Sequence, residues 1–202
     1  THEYIDPVIF ISNKSSGKLG YEFAKSLNEN GVDTTLISGP SNLSPIKGVN
    51  LIKIKSADEM LEATLNNLPT DVAIFSAAVG DFKVKNSKKE KIKKDKISQL
   101  SLEKNTDILG HISNHNSLRP KLVVGFAAET ENLLNNAIDK RKNKGCDWIL
   151  ANDVSASTET FGGDNNLIHL ITDEGSEEWP RMLKGDVAIR LVEKIVNEVI
   201  SK

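Results

Sequence analysis

The residues best suited to chemistry in this chain form a tract of small polar side chains, Ser12-Asn13-Lys14-Ser15-Ser16-Gly17. It follows the apolar run Val8 to Ile11 and precedes a helical pattern from Leu19 to Asn30. N–H groups at a helix start, the hydroxyls of Ser15 and Ser16, and glycines that let the backbone approach a ligand would together bind an anion, and Lys14 and Lys18 add positive charge. The order is not that of a Walker A loop. Nor is it a dinucleotide fingerprint, because Gly17 and Gly20 lack the earlier glycine of G-x-G-x-x-G. The same residues also fit a plain strand-to-helix turn with a serine-rich cap, so by themselves they point to an anion site and no further.

Two more stretches could carry charge chemistry. The apolar run Asp71 to Phe75 ends in Ser76-Ala77-Ala78-Val79-Gly80-Asp81, whose small side chains leave room for a ligand. Soon after comes Lys83 to Lys96, a segment with eight lysines and almost no apolar content. It cannot be a core element. It reads either as a solvated loop or as a flexible flap that folds over a polyanion. Position favours the flap, since ligands of open α/β sheets bind beyond the carboxyl ends of strands, where both this run and the Asn13 loop lie.

The elements that must position these residues alternate strand and helix. Strands are expected at Thr34 to Ser38, Asn50 to Ile54, Asp71 to Phe75, Lys121 to Phe126 and Asp147 to Asn152. The near-continuous apolar ones are the kind covered by helices on both faces. Between them, Ser56-Ala57-Asp58-Glu59 opens a helix as a capping box, Thr106 is placed to cap a short one, and a long one ends near Gly145. Leu167 to Thr172 and Glu177 to Pro180 flank a turn at Glu174-Gly175, a β-hairpin added to the sheet. Val187, Leu191, Ile195 and Val199 mark an amphipathic closing helix. The chain is read as one domain spanning all 202 residues.

With 26 basic and 28 acidic residues the formal charge is −2, which does not favour nucleic acid or an acidic membrane surface. Cys146 is the only cysteine, which excludes an intramolecular disulfide and fits a reducing compartment. No apolar run approaches a membrane span, and the first residues resemble no targeting segment. A cytoplasmic protein is expected.

Several separated stretches together resemble one family, the phosphopantothenate-cysteine ligases (phosphopantothenoylcysteine synthetases) of coenzyme A biosynthesis in their bacterial CTP-using form. They are DPVIFISNKSSGKLG, SAAVGDF, KIKK, NTDIL, VGFAAET, the Lys140 and Lys144 helix with ILANDV, and FGGDNN, in the family's order over nearly the whole chain. The resemblance implies an α/β, Rossmann-like three-layer sandwich with a mainly parallel sheet and the added C-terminal β-hairpin. It implies a homodimer, often with a flavin-dependent phosphopantothenoylcysteine decarboxylase fused upstream. The implied reaction has two steps: the carboxylate of 4'-phosphopantothenate attacks CTP and releases pyrophosphate, then the amine of L-cysteine displaces CMP from the acyl-cytidylate.

Carried over by position, Asn13 resembles the residue that holds the intermediate, while Ser15, Ser16 and Gly17 would hold anionic oxygens of the pantothenate side. Phe75, Ser76 and Ala77 would line the nucleotide pocket, with Asp81 facing the ribose or a Mg2+ ion. Lys91 is similar to the family's flap lysine. Thr106, Asp107, Ile108 and Leu109 with Phe126 resemble the cytosine-recognition segment, and Lys140 and Lys144 would meet phosphates from one helix face. There are departures. The family usually has two glycines on a further strand before Thr1, which implies that the native N-terminal strand is missing from this sequence. Ile9 stands where Arg is common, Thr106 where Pro is usual and Gly80 where Ala is usual.

Other classes fit less well. A nicotinamide-dependent oxidoreductase shares the fold, but the glycine order is wrong and Ser38-Gly39-Pro40 stands where an acidic ribose partner is needed. A nucleic-acid module would need aromatic residues among the lysines. A non-catalytic nucleotide-binding module remains an alternative, and ATP is the rival to CTP. His111 and His115 stand at helical spacing without the Glu or the cysteines of a zinc site, and read as exposed helix residues.

Overall fold

The computed structural model describes residues 1–93, 99–154 and 165–200. The chain begins with β1 (His2–Tyr4) and β2 (Phe10–Ser12), an antiparallel pair in which Tyr4 faces Phe10 and His2 faces Ser12. The apolar run expected from Val8 to Ile11 is therefore a strand only from Phe10. It lies outside the main sheet, and Val8, Ile9, Phe10 and Ile11 are all exposed. After the polar tract, α1 (Lys18–Glu29) turns Tyr21, Phe23 and Ala24 inward. Its N-cap is Gly17 at φ 74°, a left-handed conformation that only glycine adopts without strain.

Strands β3 (Thr35–Ser38) and β4 (Asn50–Lys53) form a parallel pair. Then α2 (Ala57–Asn66) starts as its sequence foretells, with the Glu59 N–H donating to Ser56 Oγ at 3.2 Å. The Glu59 carboxylate returns to the N–H of Lys55, one residue before the cap. Strand β5 (Val72–Phe75) leads through residues 76–81 into β6 (Phe82–Val84), which pairs antiparallel with β7 (Leu102–Lys104). The lysine-rich segment is thus the connection between two paired strands. Its first lysine, Lys83, belongs to β6 and is held by Asp58 of α2 at 2.7 Å. Lys94 and Lys96 lie outside the described residues, as does most of the FGGDNN stretch.

Next come α3 (Ile108–Ser113), β8 (Leu122–Glu129), α4 (Leu133–Lys144) and β9 (Trp148–Asp153). The cap of α3 is Asp107, whose carboxylate accepts the Gly110 N–H at 3.1 Å. It is not Thr106, as the sequence suggested: both are capping types, and it is the Asp carboxylate one position later that accepts the free N–H of the third helical residue, Gly110. The chain closes with β10 (Asn165–Asn166), β11 (Ile168–Ile171), β12 (Ser176–Glu178), β13 (Met182–Leu183) and α5 (Lys184–Ile200).

The central sheet runs β12-β11-β9-β8-β5, with β5, β8 and β9 parallel and the β11–β12 hairpin antiparallel at one edge. Successive residues of β8 face opposite sides. Leu122 and Val124 pack with Phe23 of α1 and Leu191 of α5, whereas Val123 and Ala127 pack with Ala137 of α4. Burial on both faces explains why these strands read as unbroken apolar runs. The architecture is the expected three-layer sandwich, and its strand carboxyl ends carry residues 76–81, 129 and 153.

Candidate active site

The polar tract and the exit of β5 meet. Asn13 Nδ2 donates to the Ala78 carbonyl oxygen at 3.1 Å, and Ser12 Oγ donates to the Thr1 carbonyl oxygen at 2.9 Å. The Gly80 N–H donates to Thr1 Oγ1 at 3.1 Å. From the other side, α1 approaches so closely that a Cβ at Gly20 would stand 3.1 Å from Ser76 Oγ. Asn13, Ser76, Ala77 and the first turn of α1 therefore share one rim. Ser15 Oγ faces the Gly17 N–H and Ser16 Oγ the Lys18 N–H, both at a long 3.4 Å. No acidic residue occupies the first turn of α1, so the helix itself supplies no charge that offsets its positive end. Residues 13–17 are all exposed.

Asn105 ties a second wall to this rim. Its N–H donates to the Asp81 carbonyl oxygen at 2.9 Å and its Nδ2 to that of Gly80 at 2.8 Å, fastening the segment 105–109 to the β5 exit. Asp107 then uses both carboxylate oxygens, one on the Gly110 N–H and the other on Lys144 Nζ at 2.7 Å. Leu109 packs against Gly125 on the α4 side of β8, where a Cβ would stand 2.6 Å from its methyl group. The Phe126 ring points the opposite way, 5.5 Å from Phe23 between ring centres. Leu109 and Phe126 therefore do not present their side chains to one pocket. A ligand touching both would meet the backbone of β8.

Lys140 and Lys144 share a helix face but differ in surroundings. Lys144 is paired with Asp107, whereas Lys140 is half-buried among Glu129, Asp81 and Asp107. Burial lowers the pKa of Lys140 below the usual lysine value. Glu129 works against that shift, and the neighbouring Lys144 adds to it. An ammonium in this position gains more from an arriving phosphate than a solvated one does. Glu129, whose Oε2 accepts from Asn136 Nδ2 at 3.2 Å, has no place among the sequence candidates. Its signal was present, since it ends the long strand β8.

The lysine-rich connection is fastened elsewhere. The Lys88 N–H donates to the Ile5 carbonyl oxygen at 2.9 Å and the Ile92 N–H to Asp6 Oδ2 at 3.0 Å, at the turn end of the β1–β2 hairpin. Asn13 follows the other end of that hairpin. Lys91 lines a hollow of about 800 Å³ with Ile5, Val84 and Gln99, and neither Asn13 nor Asp81 is among its walls. The structure thus gathers Asn13, Ser76, Ala77, Asp81, Asp107 and Lys140 around the strand ends, and does not bring Lys91 to them.

Among the described residues no three His, Cys, Asp or Glu side chains form a metal-holding group. His115 instead accepts the Leu118 N–H at its Nδ1, at 3.0 Å. Asp81 is exposed at the strand exit. One carboxylate completed by substrate phosphates and water is the usual protein share of a Mg2+ site, so Asp81 fits such an ion only together with a polyphosphate.

Over residues 1–199 the sequence matches the family described as DNA/pantothenate metabolism flavoprotein C-terminal domain. The chain belongs to this family. The coenzyme A biosynthesis bifunctional protein CoaBC of Borreliella burgdorferi is 41% identical over 192 residues, covering 93% of this chain and 48% of that protein. CoaBC of Haemophilus influenzae is also 41% identical, over 97% of this chain and 49% of its own length. The chain spans about half the length of the curated relatives it matches. A crystal structure of the C-terminal domain of CoaBC superposes on the whole chain and 92% of that domain with a TM-score of 0.82 at 32% identity. The Cab2 H337A mutant in complex with phosphopantothenate-cysteine has the same fold, with a TM-score of 0.74 over 100% of this chain and 85% of its own at 13% identity.

Proposed function

We propose that this family member is a CTP-dependent ligase that joins 4'-phosphopantothenate to L-cysteine in coenzyme A biosynthesis, through an acyl-cytidylate and with release of CMP and pyrophosphate. The observation that carries this reading is the bond from Asn13 to Ala78. It sets an uncharged amide and a helix N-terminus with no acidic residue in its first turn against the strand exit that also bears Asp81 and, beyond it, Lys140. The relatives' role in coenzyme A biosynthesis supports the same reading.

The chemistry is a problem of charge. A carboxylate must approach the α-phosphate of a triphosphate, two anions that repel each other. In the first step an oxygen of the 4'-phosphopantothenate carboxylate bonds to the α-phosphorus as the bond to the β-phosphate oxygen breaks, and pyrophosphate leaves with the electron pair. In the second the cysteine nitrogen bonds to the acyl carbon, the carbon–oxygen bond breaks, CMP leaves and the amine gives up a proton. Lys140 and Lys144 meet the departing phosphates, and the N–H groups around Gly17 with Ser15 and Ser16 hold the acid. Asn13 donates to the mixed anhydride without adding charge. A Mg2+ ion, when bound with the nucleotide at Asp81, supplies neutralisation of the polyphosphate. Lys91, on the flap, would reach the phosphates only by leaving the hollow beside Ile5.

On this reading the protein is a cytoplasmic homodimer with a phosphopantothenoylcysteine decarboxylase as fused or separate partner. Val8, Ile9, Phe10 and Ile11 are exposed, as are Phe82 and Leu102, apolar surface that a second copy would help to bury. Among the described residues no helix is long and apolar enough to cross a membrane.

The test is product formation. Incubation with 4'-phosphopantothenate, L-cysteine, Mg2+ and each nucleoside triphosphate in turn should give the amide, detected by mass, with CTP the preferred nucleotide. Formation of the amide without any nucleotide, or none with all of them, would reject the proposal.

A further inference from the structure

Glu129 and Lys140 carry opposite charges, lie near one another and are not joined. Glu129 is the last residue of β8, and strand alternation puts it on the face of Val123 and Ala127, toward α4. Its backbone carbonyl oxygen accepts the Val154 N–H at 2.9 Å, which fixes the strand end. One carboxylate oxygen, Oε2, accepts from Asn136 Nδ2 at 3.2 Å, and the same Nδ2 donates to the Glu131 carbonyl oxygen at 3.0 Å. The other carboxylate oxygen has no partner among the described residues. Lys140 lies one turn beyond Asn136 on the same face of α4, and it too has no hydrogen bond or ion pair among the described residues. Burial lowers its pKa, and of the charges acting on it that of Glu129 is the strongest. Both side chains are half-buried, so leaving the two charges apart is costly unless ligands complete them. The other carboxylates around Lys140 differ: Asp107 is spent on the Gly110 N–H and Lys144, and Asp81 is exposed. Asp153 stands beside Glu129 in register on β9 and deepens the negative field there.

We propose that Glu129 binds the ammonium of the amino-acid co-substrate: its open carboxylate oxygen accepts a hydrogen bond from the nitrogen that will attack, while Lys140 holds the phosphate that will leave. This rests on the ligase reading and adds to it a residue that the family resemblance does not supply. The second step requires such neighbours, because amine and CMP phosphate meet on one acyl carbon. A group that holds a phosphate and a group that holds an ammonium must then stand side by side without closing on each other. The lysines of the site repel an ammonium, so a carboxylate is needed. Glu129→Gln keeps an oxygen for Asn136 and loses the charge. Asn136→Ala keeps the charge and frees the carboxylate to rotate. Hydroxylamine, a nucleophile uncharged at neutral pH, needs no anionic partner and consumes the acyl-cytidylate without Glu129.

The experiment compares the full chain with both variants in three measurements: the pyrophosphate burst with CTP, Mg2+ and 4'-phosphopantothenate alone, amide formation over a range of cysteine concentrations, and consumption of the intermediate by hydroxylamine. Glu129→Gln should keep the burst and the nucleotide KM within about twofold and raise the cysteine KM about ten- to hundredfold, the worth of a hydrogen bond to a charged group. Hydroxylamine should react at the wild-type rate. Asn136→Ala should raise the cysteine KM by about three- to tenfold, with the burst again intact. A wild-type cysteine KM in Glu129→Gln, or in Asn136→Ala where the first variant does not fold, would overturn the assignment. Equal losses toward cysteine and hydroxylamine, or a diminished burst, would overturn it as well and leave Glu129 a support for Lys140 or for the strand end. Wild-type pyrophosphate release that ignores the acid would remove the ligase reading and this assignment with it, whereas a wild type that makes the amide beside an unaffected Glu129→Gln rejects Glu129 alone.

Discussion

Asn13 and Ala78, 65 residues apart, are joined by one hydrogen bond of 3.1 Å from a side-chain amide to a backbone carbonyl. It closes the polar tract against the β5 exit, and it leaves Asn13 with a second N–H and its amide oxygen for a ligand. A carboxylate in its place would set an acceptor against the Ala78 carbonyl and, on the proposed function, against the phosphates of the nucleotide.

Asn13→Asp is accordingly expected to fold but to turn over about a hundredfold more slowly, the usual cost of removing a preorganised donor. Single-turnover kinetics should show the intermediate formed or consumed at an altered rate. Unchanged steady-state and single-turnover rates would reject the assignment.

Lys91→Gln should leave Tm within about 2 °C, since an exposed lid side chain contributes little to the core. Its kcat/KM should fall by about a hundredfold. Calorimetry and pyrophosphate release on one preparation test the split, and parallel losses of melting temperature and activity would argue against it.

Lys140 gives a prediction with a sign. Its pKa is depressed from 10.5 in the folded state, chiefly by burial, so between that depressed value and 10.5 the unfolded chain binds more protons and stability rises with pH. At neutral pH the buried charge opposes folding. Lys140→Met should therefore keep or raise Tm at pH 7 and remove this part of the alkaline rise. Its nucleotide KM should increase by about ten- to hundredfold. A loss of stability at pH 7 with an unchanged KM would show that Lys140 is structural.

Burial pushes the Cys146 thiol up to about 11. At pH 8 only about one molecule in a thousand then carries a thiolate. Thiol reagents should label Cys146 at the rate of unfolding, and fast labelling of the folded protein would contradict the burial.

Much of this was legible in the sequence because the relevant signals are local. Asp71 to Phe75, Lys121 to Phe126 and Asp147 to Asn152 read as buried strands because both sheet faces are covered, and Glu174-Gly175 marked the hairpin turn. The apolar run at Val8 was legible as a strand but not as an exposed edge, since hydrophobicity does not say which surface covers it. Thr106 and Asp107 are both capping types, so spacing alone could not separate them. Lys140 and Lys144 were visible as a pair, but not the acidic surroundings that distinguish them, because Asp81 comes from the connection after β5 and Glu129 from the end of β8. Asp6 was hidden more deeply: Asp-Pro reads as a turn, and its bond to Ile92 exists only once the chain has folded.

The central claim, that a nucleotide activates a carboxylate at the strand ends near Asn13, is tested most directly by following a heavy-oxygen label. With the carboxylate of 4'-phosphopantothenate labelled, a single turnover with CTP and cysteine should leave one labelled oxygen in the phosphate of CMP, because the bond broken by the amine lies between the acyl carbon and that oxygen. CMP free of label, or label appearing in inorganic phosphate, would contradict the account.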